Sequence, residues 1–187
     1  AIGGGSNNIT VPTTYVKSLF TNDDQRKDAS FYEIYTIGEN EALTYYTTIV
    51  TKGSGTVIGG SRNFIDDIIL YRYADVLLMI AEAKNALGED PSMEINQVRM
   101  RAYGDQFDNY AFTLGTVEEN NEIILEERLR ELAFEGKRWW DLVRFDKAIE
   151  MLPTLSEQAN PEQKILWPIS TSVLSLENKV TQNPGYE

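Results

Sequence analysis

The sequence predicts a mostly α-helical fold, built from helix hairpins with long loops and a few short β-strands. Three observations carry that expectation. The chain changes character near residue 65, leaving a stretch rich in Gly, Asn, Ser and Thr. Beyond it, apolar residues recur at helical spacing. Stop and start signals then divide that helical part into segments. Residues 1–65 are therefore expected as a loop and short-strand segment, and residues 66–187 as the helical domain.

Within the first segment, Phe31–Ile37 and Leu43–Thr51 read as β-strands, the second rich in β-branched and aromatic residues (Tyr45, Tyr46, Thr47, Thr48, Ile49, Val50). Lys52-Gly53-Ser54-Gly55 and Gly59-Gly60-Ser61 mark turns. From about Ile68 the run ILYRYADVLLMIAEAKNALG places Leu70, Ala74, Leu77 and Ala81 on one helical face. Tyr73, Val76, Leu78, Ile80 and Leu87 widen that face, which predicts a helix buried nearly all round. Gly88 suits a left-handed C-terminal cap, and Asp90-Pro91 restarts a helix through about Ala102. The pair resembles a tetratricopeptide-type hairpin, which needs neighbours to cover its faces.

Tyr103–Gly115 reads as a polar loop with interleaved aromatics. Thr116 and Glu119 fit a capping box that opens a helix running to about Glu135 and stopping at Gly136. A shorter helix follows from about Arg138 to Met151, ended by Pro153. Ile165–Ile169 reads as extended, with one helical turn near Ser172–Leu176.

Composition narrows the function classes. The chain has 187 residues and a net charge of −12, which disfavours phosphate backbones and anionic lipid surfaces. No apolar run approaches the roughly 18 residues of a membrane-spanning helix. The N-terminal AIGGGSNNIT shows no signal peptide, and Asn8-Ile9-Thr10 fits a glycosylation acceptor. Cys and His are both absent, which removes thiolate and imidazole chemistry; no metal site or cofactor is expected.

The charges set inside the helices are the sharpest local feature. Helical projection groups Arg72, Asp75 and Glu82 on one polar sector. Glu127 and Glu131 are i,i+4 neighbours inside an apolar surface, so cations must accompany them; Arg99, Arg101, Arg138 and Arg144 are the available suppliers. An acid/base pair of the glycosidase type competes with structural ion pairing here. Two side chains projecting from one helix face cannot flank a scissile bond from opposite sides, which favours ion pairs. Trp139 and Trp140 are expected in the core rather than as a ligand platform.

Four blocks, in order, identify a resemblance to the SusD/RagB family of outer-membrane nutrient-binding lipoproteins: RYADVLLMIAEAKNALG, INQVRMRA, ERLRELAFEGKRWWDLVRF and LWPIS…NPGYE. DDQRKDASF is similar more weakly. Lys137, where members often carry His, and Ser170, where a second Pro is usual, are departures. The chain resembles the C-terminal part of longer members, without their lipidated Cys and preceding repeats. The resemblance implies a SusD-like fold and a surface protein that binds an oligosaccharide or other nutrient without chemistry. It further implies delivery to a SusC-type TonB-dependent transporter, at the cell-surface side of the outer membrane. A helical-repeat interaction module with no ligand of its own is the alternative. The family's blocks are structural, so ligand contacts are expected from aromatics in variable loops: Tyr32, Tyr35, Tyr45, Tyr46, Tyr103 and Tyr110.

Overall fold

The computed structural model describes residues 11–65 and 67–186; the Asn8–Thr10 acceptor lies outside them. The chain forms two compact units, Ala1–Lys137 and Arg138–Glu187. The loop-and-strand segment thus shares a unit with the helices of residues 73–132.

The first unit opens with two short helices, α1 (Thr14–Ser18) and α2 (Arg26–Ser30). Strands β1 (Phe31–Ile37) and β2 (Leu43–Val50) follow as an antiparallel hairpin. Its register steps between Ile34, opposite Thr47, and Tyr35, opposite Tyr45, leaving Tyr46 as the extra residue of a bulge. Phe31 anchors the hairpin: it is buried and stacks edge-on against Phe20 at 5.4 Å. A second small hairpin joins β3 (Thr56–Ile58) to β4 (Ser61–Asn63) through Gly59 and Gly60, both at positive φ.

Three helices make the core: α3 (Tyr73–Ala86), α4 (Ser92–Tyr103) and α5 (Val117–Leu132). Helix α3 packs along both α4 and α5. Leu78, Ala81, Ile95, Ala102, Ile124 and Leu125 fill the space between them. The α3–α4 turn is a Schellman motif: Glu89 N–H donates to Lys84 O (2.8 Å), Gly88 N–H to Asn85 O (3.0 Å), and Gly88 adopts φ +74°. Asp90 then accepts from Ser92 N–H at 2.8 Å, so α4 begins one residue beyond Pro91. Thr116 and Glu119 close the expected capping box on α5 (3.2 and 2.8 Å). Asn85 binds Val117 O and Asn121 Oδ1 while accepting from Asn120, each at 2.9 Å, which fixes α3 against the start of α5.

Several expectations need correction. Helix α3 starts at Tyr73, not near Ile68, and only one of its faces is buried. Tyr73, Val76, Met79, Ile80 and Leu87 are exposed, so its apolar breadth is not burial in this structure. Helix α5 ends at Leu132, because Ala133 takes an extended ψ of 136° and Phe134 a φ of +66°. In the second unit, α6 (Arg138–Arg144) stops where Asp146 turns left-handed. Helices α7 (Ala148–Met151) and α8 (Pro153–Ser156) follow, with Pro153 opening a helix as well as ending one. The tail carries α9 (Thr171–Leu176), then folds back: Gln182 exchanges hydrogen bonds with Ile169 (2.7 and 2.9 Å), and Asn183 donates to Trp167 O at 2.6 Å. Trp140 is 64% exposed and Trp139 half-buried, so this pair is not a core cluster.

Candidate functional site

Two constellations in the first unit bring chemically capable side chains together, one buried and one exposed. The buried one centres on Glu127 and Glu131, which α5 presents one turn apart. Arg26 reaches both through the same nitrogen: Nη1 lies 2.7 Å from Glu127 Oε1 and 3.2 Å from Glu131 Oε2. Its other nitrogens form a fork on Asp24, at 2.8 and 2.7 Å. Glu127 also accepts from Arg99 Nε at 2.8 Å and faces Arg130 at 3.5 Å. Glu131 Oε1 takes Arg72 and Arg101 together, each at 2.5 Å. Because the helix ends at Leu132, Glu135 can swing back onto Arg72 (2.8 Å from its Nε) and Lys52 (2.8 Å).

Electrostatics decide what these carboxylates can do. Burial pushes the Glu127 carboxyl up, but Arg26, Arg99 and Arg130 outweigh it and hold it below its ordinary 4.5. Burial acts the same way on Glu131 and Glu135; Arg72, with Arg101 and Arg26 on the first and Lys52 on the second, reverses it. Burial also lowers the Lys52 ammonium, against the pull of Glu135. A general acid needs a raised carboxyl pKa, and these are lowered. One guanidinium nitrogen bridging both acids also leaves no opening for a substrate bond between them. The cluster is a joint that clamps the α2 region, α4 and α5 together.

Other predicted ion-pair residues distribute differently. Asp75, buried on α3, meets Arg128 at 3.0 Å and Lys137 at 3.1 Å. Arg72 precedes α3 and points toward Glu131 and Glu135, away from a shared sector with Asp75; Glu82 is half-buried on the helix. Arg138 and Arg144 belong to the second unit, where Arg144 pairs with Asp141 at 2.8 Å and Arg138 lies 3.6 Å from Met151 Sδ. Arg26, which was not among the expected cations, bonds both Glu127 and Glu131. The only sequence hint was its place in DDQRKDASF, since its acidic partners on α5 lie 101 and 105 residues away.

The exposed constellation lies on one face of the β1–β2 hairpin. Tyr35 and Tyr45 are cross-strand partners with rings edge to face at 5.9 Å, and both are nearly half exposed. Lys17 hangs over the Tyr45 ring at 4.5 Å and bonds Glu33 at 2.7 Å. Glu33 also accepts from the Tyr35 hydroxyl at 2.7 Å, and the Tyr45 hydroxyl meets buried Thr48 at 2.9 Å. Bonds from Lys17 and Tyr35 hold the Glu33 carboxyl below its ordinary value, while Glu33 raises both the Lys17 ammonium and the Tyr35 phenol. Two ring faces thus stand beside a fixed cation and a fixed carboxylate.

Of the six tyrosines singled out from sequence, the hairpin unites Tyr35 and Tyr45. Tyr46, displaced by the bulge, is 69% exposed; Tyr32 alternates to the opposite face and is half-buried. Tyr103 and Tyr110 stack on each other at 4.0 Å elsewhere, Tyr103 buried beneath Arg26. A buried ring packed on both sides offers no face to a ligand, which removes Tyr103 from the candidates. Among the described residues, no group of His, Cys, Asp or Glu could hold a metal, and no helix is long and apolar enough to cross a membrane.

The first unit is thus a set of packed helices clamped by buried ion pairs, with an aromatic hairpin in the same unit. The comparisons with known proteins agree on its lineage. A SusD family model matches residues 35–186, and the chain belongs to that family. SusD-like protein P38 of Formosa agariphila is 38% identical over 130 residues, 65% of this chain and 25% of that protein. Among solved structures, B. fragilis NanU matches with a TM-score of 0.76 at 39% identity, covering 92% of this chain and 38% of that one. A SusD superfamily protein from Bacteroides vulgatus gives 0.79 at 35% identity, covering 95% and 41%. The chain thus spans about a quarter of the first curated relative and about two fifths of these solved structures.

Proposed function

We propose that this chain is part of a cell-surface nutrient-binding protein that captures an oligosaccharide and hands it to a SusC-type TonB-dependent transporter. The protein would be held at the outer membrane by a lipid anchor carried elsewhere in it, and it would do no chemistry on its cargo. Membership of the SusD family over residues 35–186 carries this reading. The engagement of Glu127 and Glu131 by Arg26, Arg72, Arg99 and Arg101 supports a structural role for these two carboxylates. Tyr35 and Tyr45 are the proposed stacking surface, with Lys17 and Glu33 as donor and acceptor for sugar hydroxyls. Tyr46 extends that surface.

Affinity electrophoresis of the whole protein in gels containing starch, xylan or pectin tests the reading, with a glycan array beside it. Retardation by at least one polysaccharide is expected, and it should weaken at least tenfold when Tyr35 and Tyr45 are both Ala. Binding that survives this double substitution moves the site off the hairpin. Co-purification of a TonB-dependent transporter tests the partner separately. A helical-repeat interaction module without its own ligand is favoured by one observation, the exposed apolar side chains Val76, Met79, Ile80 and Leu87 on and just beyond α3. It predicts no retardation in any gel and no signal on the array.

A further inference from the structure

A cavity of about 720 Å³ opens beside the ion-pair cluster, within the size range of small-molecule sites. We infer that it binds a small organic carboxylate with an apolar body. Phe64, Ile68, Ile69 and Phe134 supply apolar wall, while Lys52 and Arg101 stand among the charged groups that line it. None of the lining residues belongs to the tyrosine face, so the site is separate from the one proposed for sugars.

Donor capacity selects the ligand's charge. Among the described residues, Arg26, Lys52, Arg72 and Arg101 line the cavity with Asp67, Glu131 and Glu135, and Arg26 is already spent on Asp24 and Glu127. Glu131 and Glu135 are already saturated by guanidinium and ammonium groups. Arg101 is the opposite case. Its side chain is 62% exposed and makes one bond, to a Glu131 oxygen that Arg72 also holds. A guanidinium carries five N–H donors in a planar fork, so most of the Arg101 fork is unused and matches a carboxylate. The single open fork of Arg101 fits one carboxylate.

The apolar wall selects the body. Phe64 and Ile68 are 73% and 89% exposed, an arrangement that water penalises and an apolar ligand would relieve. Phe134 stands at φ +66°, where a bulky side chain is strained. That conformation turns the chain so that the Phe134 ring lines the cavity while Glu135 reaches Arg72 and Lys52.

Isothermal titration of the whole protein with 2-naphthylacetate, and with 2-naphthylacetamide as the uncharged counterpart, tests the inference. The acid should bind about tenfold more tightly than the amide, the difference of one charge-assisted bond. Arg101→Gln should bring the acid down to the amide's affinity and leave the amide unchanged, with thermal melting unaltered because Glu131 keeps Arg26 and Arg72. Arg101→Lys, which retains charge without the fork, should recover only part of the loss. Phe64→Ala should weaken acid and amide alike. Equal affinities for acid and amide, an Arg101→Gln protein that still prefers the acid, or no binding of either probe would each overturn the proposal.

Discussion

Arg26–Glu127 and Lys17–Glu33 are both ion pairs of 2.7 Å, and they have almost nothing else in common. The first joins side chains 6% and 0% exposed, and each partner is shared with other charges. The second joins side chains 23% and 34% exposed, next to water that competes for both. Coulomb attraction at equal distance scales with the inverse of the local dielectric, so the buried pair is coupled several times more strongly. It also has no alternative partner in water when one member is lost. Separation alone therefore says little about energy; burial and shared partners decide it. The same contrast divides the molecule into a joint that cannot give way and a surface that can adapt.

The largest break in that comparison should come from Glu127→Gln. It leaves Arg26, Arg99 and Arg130 around a neutral amide, and one-sided loss of a buried pair costs about 3–5 kcal/mol. Urea unfolding measures it, and a loss below about 1 kcal/mol would mean that the arginines relax to water. Acid should reproduce part of the effect. Glu127, Glu131 and Glu135 titrate below 4.5 in the folded protein, so their contribution is complete above that unfolded value and disappears as pH falls through the folded ones. Glu131→Gln should therefore be less stable than the parent at pH 7 yet lose less on going to pH 3. Parallel curves of urea midpoint against pH for the two proteins would contradict this linkage.

The sequence disclosed these two regions unequally. Strand boundaries of the hairpin and the capping box at Thr116 were legible because they depend on local propensity and on residues three apart. The presence of cations around Glu127 and Glu131 was also legible, since buried carboxylates require them. Which cations was legible only in part: Arg99 and Arg101 were, and Arg26 was not. Arg26 opens the short helix α2, in the segment read as loops and strands, and no periodicity links it to α5. The end of α5 was misplaced for a related reason: Gly136 advertises a stop, but the chain leaves the helix at Ala133 so that Glu135 can reach Arg72 and Lys52. Apolar periodicity likewise identified α3 but overestimated its burial, because a pattern reports what a face is suited to contact. On the hairpin, alternation separated Tyr32 from Tyr35, but only the bulge at Tyr46 sets which β2 tyrosine opposes Tyr35.

A smaller effect is expected on the exposed side. Tyr45→Ala removes one ring of an edge-to-face pair, worth about 0.5–1.5 kcal/mol beyond its buried area. Its hydroxyl bond to Thr48 goes with it. Stability should fall by about 1 kcal/mol in urea, while retardation in the polysaccharide gel should fall at least tenfold. A variant that loses several kcal/mol would show the ring to be a structural strut and would weaken the case for a ligand surface.

The smallest stability change, and the cleanest separation of the two regions, should come from Lys17→Ala. The substitution breaks an exposed ion pair with Glu33 and a cation–π contact with Tyr45. Exposed pairs contribute about 0–1 kcal/mol because solvent screens them and two long side chains must be ordered to form them. The change in urea midpoint should correspond to no more than about 0.5 kcal/mol, and 1 M NaCl, which shortens the screening length to about 3 Å, should shrink it further. Ligand retardation should respond more than stability does, since Lys17 fixes Glu33 and offers its own donors beside the Tyr45 ring. Glu127→Gln should show the reverse pattern, a large stability loss with little salt dependence, because its charges lie where added ions do not reach. If Lys17→Ala instead destabilised the protein by several kcal/mol in a salt-insensitive manner, the hairpin face would be part of the rigid joint. The contrast between the two ion pairs would then collapse.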